Sequence, residues 1–99
     1  MSVNVTFEIQ AKPEHADAAL EFMNKILPDT RAFGGCEGLQ LLVDADDSSR
    51  IIVFERWDAR ESYEKYLAWR DSSGTGDELG PMLVGPPTIR YYEIAEVYP

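Results

Sequence analysis

The chain has 99 residues, a net charge of -9 and a pI near 4.4, and 44% of it is apolar. That length gives one domain, residues 1–99, with enough apolar content for a globular core and too little room to bury a large share of its surface alone. The acidic balance repels phosphate backbones and anionic lipid, which excludes nucleic acid and membrane surfaces as natural partners. No apolar run approaches the roughly 20 residues of a membrane span, and MSVNVTFEIQ lacks the basic start and apolar stretch of a signal peptide. The single cysteine, Cys36, excludes an internal disulfide and suits a reducing cytoplasm.

Residues 3–10 alternate: Val3, Val5, Phe7 and Ile9 share one side, the signature of a half-buried strand. Pro13 is tolerated as a first helical residue, and Glu14 and Asp17 place negative charge in the first turn. Ala16, Leu20, Met23 and Leu27 then form one apolar helical stripe. Pro28 is expected to kink or end that helix, and Gly34-Gly35 to stop any turn that follows.

CEGLQLLV (36–43) reads as a second strand and RIIVFERW (50–57) as a third. The polar DADDSS turn between them makes the pair an antiparallel hairpin. Asp58 is expected to cap the next helix, with Glu61 completing a capping box. On that helix Ala59, Tyr63, Tyr66, Leu67 and Arg70 share one face, with Trp69 at its border. SSGTGDELG reads as a Gly-rich loop, ELGPMLV as a short irregular helix broken at Gly80-Pro81, GPP (85–87) as a stop, and TIRYYEIAEV (88–97) as a final strand.

The order β-α-β-β-α-β predicts an α+β fold: a ferredoxin-like four-stranded antiparallel sheet with two helices on one face. The sheet's other face, mixed apolar and charged, invites a second copy and a homodimeric barrel.

Four stretches carry a resemblance: IQAKPEHADA, FGGCEGLQLL, IVFERWDARESYEKYL and VGPPTIRYYE. Together, with a Gly-Cys turn and a Glu-x-Trp strand end, they resemble the antibiotic biosynthesis monooxygenase family, a branch of the dimeric α+β barrel proteins. The resemblance implies a cofactor-independent monooxygenase that uses neither metal nor flavin. Its substrate would be a small aromatic or quinol that is itself the electron source. Quinone-forming members have an Asn and a Trp at the end of the third strand and a Tyr in the following helix. Trp57 and Tyr63 match the last two, while Val53 occupies the Asn position. Tyr66 stands where many members carry His. The residues of the haem-degrading branch fall on Thr6, Tyr66 and about Gly76 and do not match.

The resemblance therefore makes Trp57, Tyr63 and Tyr66 the candidate catalytic residues. Phe7, Val53, Arg56, Trp69 and Arg70 are the candidates to contact substrate, the two arginines as cations beside a developing phenolate. The same aromatic stripe, at helical spacing, also reads as ordinary core. His15, the only histidine, lies at a helix start with no nucleophile or ligand partner in view, so it reads as a surface residue. One His and one Cys cannot build the usual zinc sets. A non-catalytic dimeric small-molecule-binding domain and an isomerase of the same superfamily are the alternative functions.

Overall fold

The structure, a computed structural model, describes residues 2–99. Strands β1 (Val3–Gln10), β2 (Cys36–Val43), β3 (Arg50–Trp57) and β4 (Thr88–Tyr92) form one sheet in the order β2-β3-β1-β4, every pair antiparallel. Helices α1 (Ala16–Ala32) and α2 (Arg60–Ser72) join β1 to β2 and β3 to β4. This is the ferredoxin-like arrangement expected from the order of elements.

Register follows from alternation, since successive side chains in a strand point to opposite faces. Val3, Val5, Phe7 and Ile9 lie opposite Trp57, Glu55, Val53 and Ile51. Leu39 and Leu41 of β2 pair with Glu55 and Val53 on the same face. All these residues face the helices, and between sheet and helices two clusters form. One is aliphatic, centred on Ile9, Met23, Leu27, Ile51 and Val53. The other is aromatic and holds Val3, Val5, Cys36, Trp57, Tyr63 and Tyr66. Phe33, from the end of α1, packs against Trp57, Tyr66 and Trp69 with ring centroids 6.2, 5.4 and 5.5 Å away.

Four local expectations are corrected. Pro28 neither ends nor breaks α1, which runs through it to Ala32. The proline and Asn24, whose carbonyl it cannot bond, are both exposed, so water can serve the freed acceptor. Buried Leu27 and Thr30 hold the helix on the sheet from either side. Asp58 does not cap α2: Ala59 occupies the cap position without a side-chain bond. The Asp58 carboxylate instead accepts from the Ser62 hydroxyl, and its backbone N–H donates to the Gly35 carbonyl. Part of the supposed loop is helical, α3 (Thr75–Leu79), separated from α2 by Gly74 in the left-handed conformation, φ +78°. Finally, β4 stops at Tyr92 rather than at residue 97. Tyr92 pairs with Asn4 at the start of β1, so the chain beyond it runs past the end of its only neighbour, leaving Ile94, Val97 and Tyr98 exposed.

Gly35 locks the start of β2 to the start of α2. Its φ is +101°, and a Cβ there would lie 2.5 Å from Ser62 Cβ and 2.8 Å from Asp58 Oδ1. Gly35→Ala should lower stability in denaturant titration by roughly 1–3 kcal/mol, through backbone strain and displacement of α2. Gly34→Ala, whose added carbon would meet nothing within 4 Å at an exposed position, should change it by less than about 0.5 kcal/mol.

Candidate functional site

The candidate site lies between the sheet and the helices, where the aliphatic and aromatic clusters fail to close on each other. A pocket of about 300 Å³ remains there. Its floor is Phe7 of β1 with Val53 and Glu55 of β3, and its sides come from Met23, Ile26 and Leu27 of α1 and Tyr63, Tyr66, Leu67, Arg70 and Asp71 of α2. Thr75, Gly76 and Leu79 of α3, with Pro87, complete it. Most of the lining is apolar, with a few polar tips converging, which is the usual makeup of a small-molecule site.

Five of the eight residues expected in the site, Phe7, Val53, Tyr63, Tyr66 and Arg70, line this pocket. The other three lie elsewhere. Trp57 is fully buried behind the pocket, 5.4 Å from the Tyr63 ring and 5.2 Å from the Tyr66 ring between centroids. Trp69 is partly exposed, with the Arg70 guanidinium 4.6 Å from its ring centroid. Arg56 lies on the opposite sheet face, across from Asn4, and pairs with Glu37 at 3.3 Å.

The residue that the sequence expectations leave out is Glu55. It is 3% exposed. The Trp57 indole N–H donates to its Oε1 at 3.1 Å, and Oε2 accepts no hydrogen bond from any described residue. The ion pairs among the described residues join Arg50 and Arg90 to Glu8 and Arg56 to Glu37, so none reaches Glu55. Burial pushes this carboxyl up from 4.5 to about 7, while the Trp57 hydrogen bond and the Arg70 cation pull it partly back. Glu55 is thus an acid that changes charge near neutral pH inside an apolar pocket. The signal was present in β3. Ile51, Val53, Glu55 and Trp57 share one parity, and a carboxylate on the helix-facing side of a strand is rarely left there without a role.

Two further features set the chemistry. The Tyr63 hydroxyl is buried with no hydrogen-bond partner. Burial, then the charge of Glu55, raises its pKa far above the ordinary tyrosine range, so it can donate a hydrogen bond but cannot act as a base. Arg70 clamps the two helices: Nε donates to the Tyr66 hydroxyl at 2.8 Å, and Nη2 donates to the Ile26 carbonyl at 2.8 Å and to Thr30 Oγ1 at 3.0 Å. Thr30 Oγ1 and the Tyr66 hydroxyl also share a 2.6 Å hydrogen bond. Thr30, fully buried on α1, was not foreseen either. Burial raises the Cys36 thiol, which leaves it a packing residue rather than a nucleophile. Among the described residues no cluster of His, Cys, Asp or Glu is placed to hold a metal ion, and no helix is long and apolar enough to cross a membrane.

Fold and pocket together define a ferredoxin-like α+β protein with a mostly apolar pocket between helices and sheet. Residues 2–74 match the family model for antibiotic biosynthesis monooxygenase, and the chain belongs to that family. Among solved structures it is similar to Rv0793 from Mycobacterium tuberculosis, at 20% identity and a TM-score of 0.85 with 98% of each chain covered. It is also similar to a conserved protein from Methanosarcina mazei Go1, at 16% identity and a TM-score of 0.82, covering 93% of this chain and 91% of that one. A structure of an antibiotic biosynthesis monooxygenase aligns at 19% identity and a TM-score of 0.84, covering 95% and 99%. At these identities the likeness is one of fold. No curated protein matches the chain significantly.

The raised carboxyl has a consequence for stability. Between pH 4.5 and about 7 the folded protein holds a proton on Glu55 that the unfolded chain has released. Stability therefore falls as pH rises through that window. A shift from 4.5 to about 7 is worth on the order of 3 kcal/mol at about 1.4 kcal/mol per pH unit. Glu55→Gln, which keeps an acceptor for the Trp57 N–H, should be more stable than wild type at pH 8 by an amount of that order. The difference should shrink toward zero near pH 4.5, as read by thermal unfolding across pH.

Proposed function

We propose that the chain is a cofactor-independent monooxygenase acting on a small aromatic or quinol substrate. The observation that carries this reading is the pocket itself, whose apolar walls, Tyr63 and Tyr66 rings and single half-buried cation suit a flat ring bearing an oxygen. Family membership supports the general activity. In the reaction the substrate supplies all the electrons. One atom of O2 becomes a new ring carbonyl, and the other leaves as water with two hydrogens from the substrate. The protein's part is to bind the ring, favour loss of the hydroxyl proton, stabilise the resulting anion and keep bulk water out.

In this reading Tyr63 donates its free hydroxyl to the substrate oxygen. Arg70, held by Tyr66, Thr30 and the Ile26 carbonyl, provides a fixed positive charge for the developing phenolate. Phe7 and Val53 bear on the ring. Trp57 supports Tyr63 and Tyr66 from behind. A second reading, a binding domain without turnover, is favoured by Val53, a buried apolar residue where the resemblance places a polar one. We also propose a homodimer formed through the outer sheet face, in a reducing cytoplasm. Leu42, Phe54 and Tyr92 are exposed on that face, and beside them Thr6 Oγ1 is buried without a partner, a combination that suits burial against a second copy.

Purified, chelator-treated protein should consume O2 with naphthohydroquinone above the spontaneous rate and yield a hydroxynaphthoquinone that carries one oxygen atom from 18O2, with water rather than peroxide as the second product. Tyr63→Phe should lower kcat/KM by roughly 10- to 100-fold, the scale of one transition-state hydrogen bond, without loss of stability, because it deletes an unpaired buried hydroxyl. Tight binding with no oxygen uptake would favour the binding domain. Phe54→Glu should convert the dimer to monomer in sedimentation velocity; an unchanged wild-type monomer would remove the dimer from the proposal.

A further inference from the structure

The pocket also contains its own proton acceptor. We infer that Glu55 takes the hydroxyl proton of a bound hydroxyarene of one or two rings. This rests on the reading of the pocket as the substrate site, and deepens it by assigning the base and the ligand class.

The geometry supports the assignment in three ways. First, Glu55 sits on the pocket floor with one oxygen held by Trp57. The hydrogen bond fixes the carboxylate's orientation, and Oε2 carries none from any described residue. Second, the pocket's charges are few. The titratable and charged groups around Glu55 are Arg70, Asp71, Tyr63 and Tyr66 on α2 and Cys36 on β2, whose thiol feels the Glu55 charge. The lining residues of β1, α1 and α3 are uncharged. With Tyr63 and Cys36 both held neutral by burial, the buried anion facing Arg70 is Glu55. When a neutral hydroxyarene gives its proton to Glu55, the negative charge moves from the carboxylate to the ligand oxygen. The number of buried charges does not change, so the transfer avoids the desolvation that an added ion would incur. The O–H bond of the ligand breaks, the new O–H bond forms on Glu55, and no electron moves in this step. Third, a base titrating near neutral pH is well matched to this work at pH 7.

Size sets the ligand class. A cavity of roughly 150 Å³ accepts one benzene ring, and this pocket has about 300 Å³. Twice that space takes one or two fused rings without crowding.

The test uses para-nitrophenol, whose absorbance reports its own ionisation. Anaerobic binding to the wild type at pH 7, where about half of Glu55 is ionised, should raise the phenolate band above the fraction that the free probe shows at the same pH. Glu55→Gln should bind the probe with that red shift lost. Alpha-naphthol should displace the probe. With naphthohydroquinone in air, wild-type kcat/KM should rise with pH to a plateau above about 7, and Glu55→Gln should lose that limb and roughly 100-fold or more in rate, the scale of a general base. Circular dichroism and thermal unfolding establish that the variant is folded. A red shift without oxygen uptake would sustain Glu55 as the base while sinking the oxygenase reading. Oxygen uptake with the same pH limb in Glu55→Gln, or an equal red shift in the variant, would overturn the role of Glu55. Failure of alpha-naphthol to displace the probe would overturn the ligand class.

Discussion

A carboxyl group at the centre of the sheet's helix-facing side is the constraint on which the rest of the structure depends. Glu55 lies between Val53 and Trp57 on its own strand and opposite Val5 and Leu39 on the neighbours. Every one of those positions calls for an apolar side chain, and a carboxylate among them carries a large desolvation cost. The fold offsets part of it with the Trp57 N–H two residues away, a spacing that strand alternation delivers automatically. It offsets another part with the Arg70 cation, fixed on α2 rather than paired in contact. The remainder is visible as a carboxyl that gives up its proton only near neutrality. Trp57 is therefore more than bulk: an aliphatic residue there would fill the same layer and leave Glu55 Oε1 without a donor.

The aromatic concentration around α2 follows from the same need. Aliphatic side chains pack densely and close over a polar group, whereas a ring presents a rigid wall and a polar tip. Trp57, Tyr63, Tyr66 and Phe33 pack with ring centroids 5.2 to 6.2 Å apart, and Tyr63 and Tyr66 present such walls to the pocket. The choice between core and pocket dissolves here. Trp57 is core, Tyr63 and Tyr66 are both core and wall, and Trp69 lies outside the pocket against Phe33 and Arg70. Arg70 holds this assembly at a defined width because it bonds α2 to α1 at two points, the Ile26 carbonyl and the Thr30 hydroxyl.

Most of the fold was legible because it rests on local alternation. β1, β2 and β3 have the predicted bounds, and the element order alone leads to the sheet topology. The misreadings occur where tertiary packing outweighs a local rule. Pro28 is tolerated because α1 is anchored on both sides of it, and Asp58 serves the Gly35 junction instead of its own helix. At β4 the apolar pattern of residues 88–97 continues, but its pairing with β1 ends at Asn4, one residue short of that strand's start. The site was half legible. Periodicity brought Tyr63, Tyr66 and Arg70 onto one face, and the same alternation applied to RIIVFERW marks Glu55. Thr30 and the Arg70 clamp join residues 40 positions apart, and nothing local in either segment announces such a contact.

The same parity separates two roles within one strand. Ile51, Val53, Glu55 and Trp57 face the helices, while Ile52, Phe54 and Arg56 face outward. A substitution at an odd position therefore acts on core and pocket, and one at an even position acts on the outer face, although the two are adjacent in the chain. Chemistry and association can consequently vary independently in a strand of eight residues. That separation holds only as long as the register does, because a slip by one residue would place Glu55 outside and Phe54 over the pocket. The close approach of Gly35 to Ser62 and the hydrogen bond from the Asp58 N–H to the Gly35 carbonyl oppose such a slip. Both tie the turn before β2 to the beginning of the helix that follows β3. The site thus depends on a junction that none of its own residues forms.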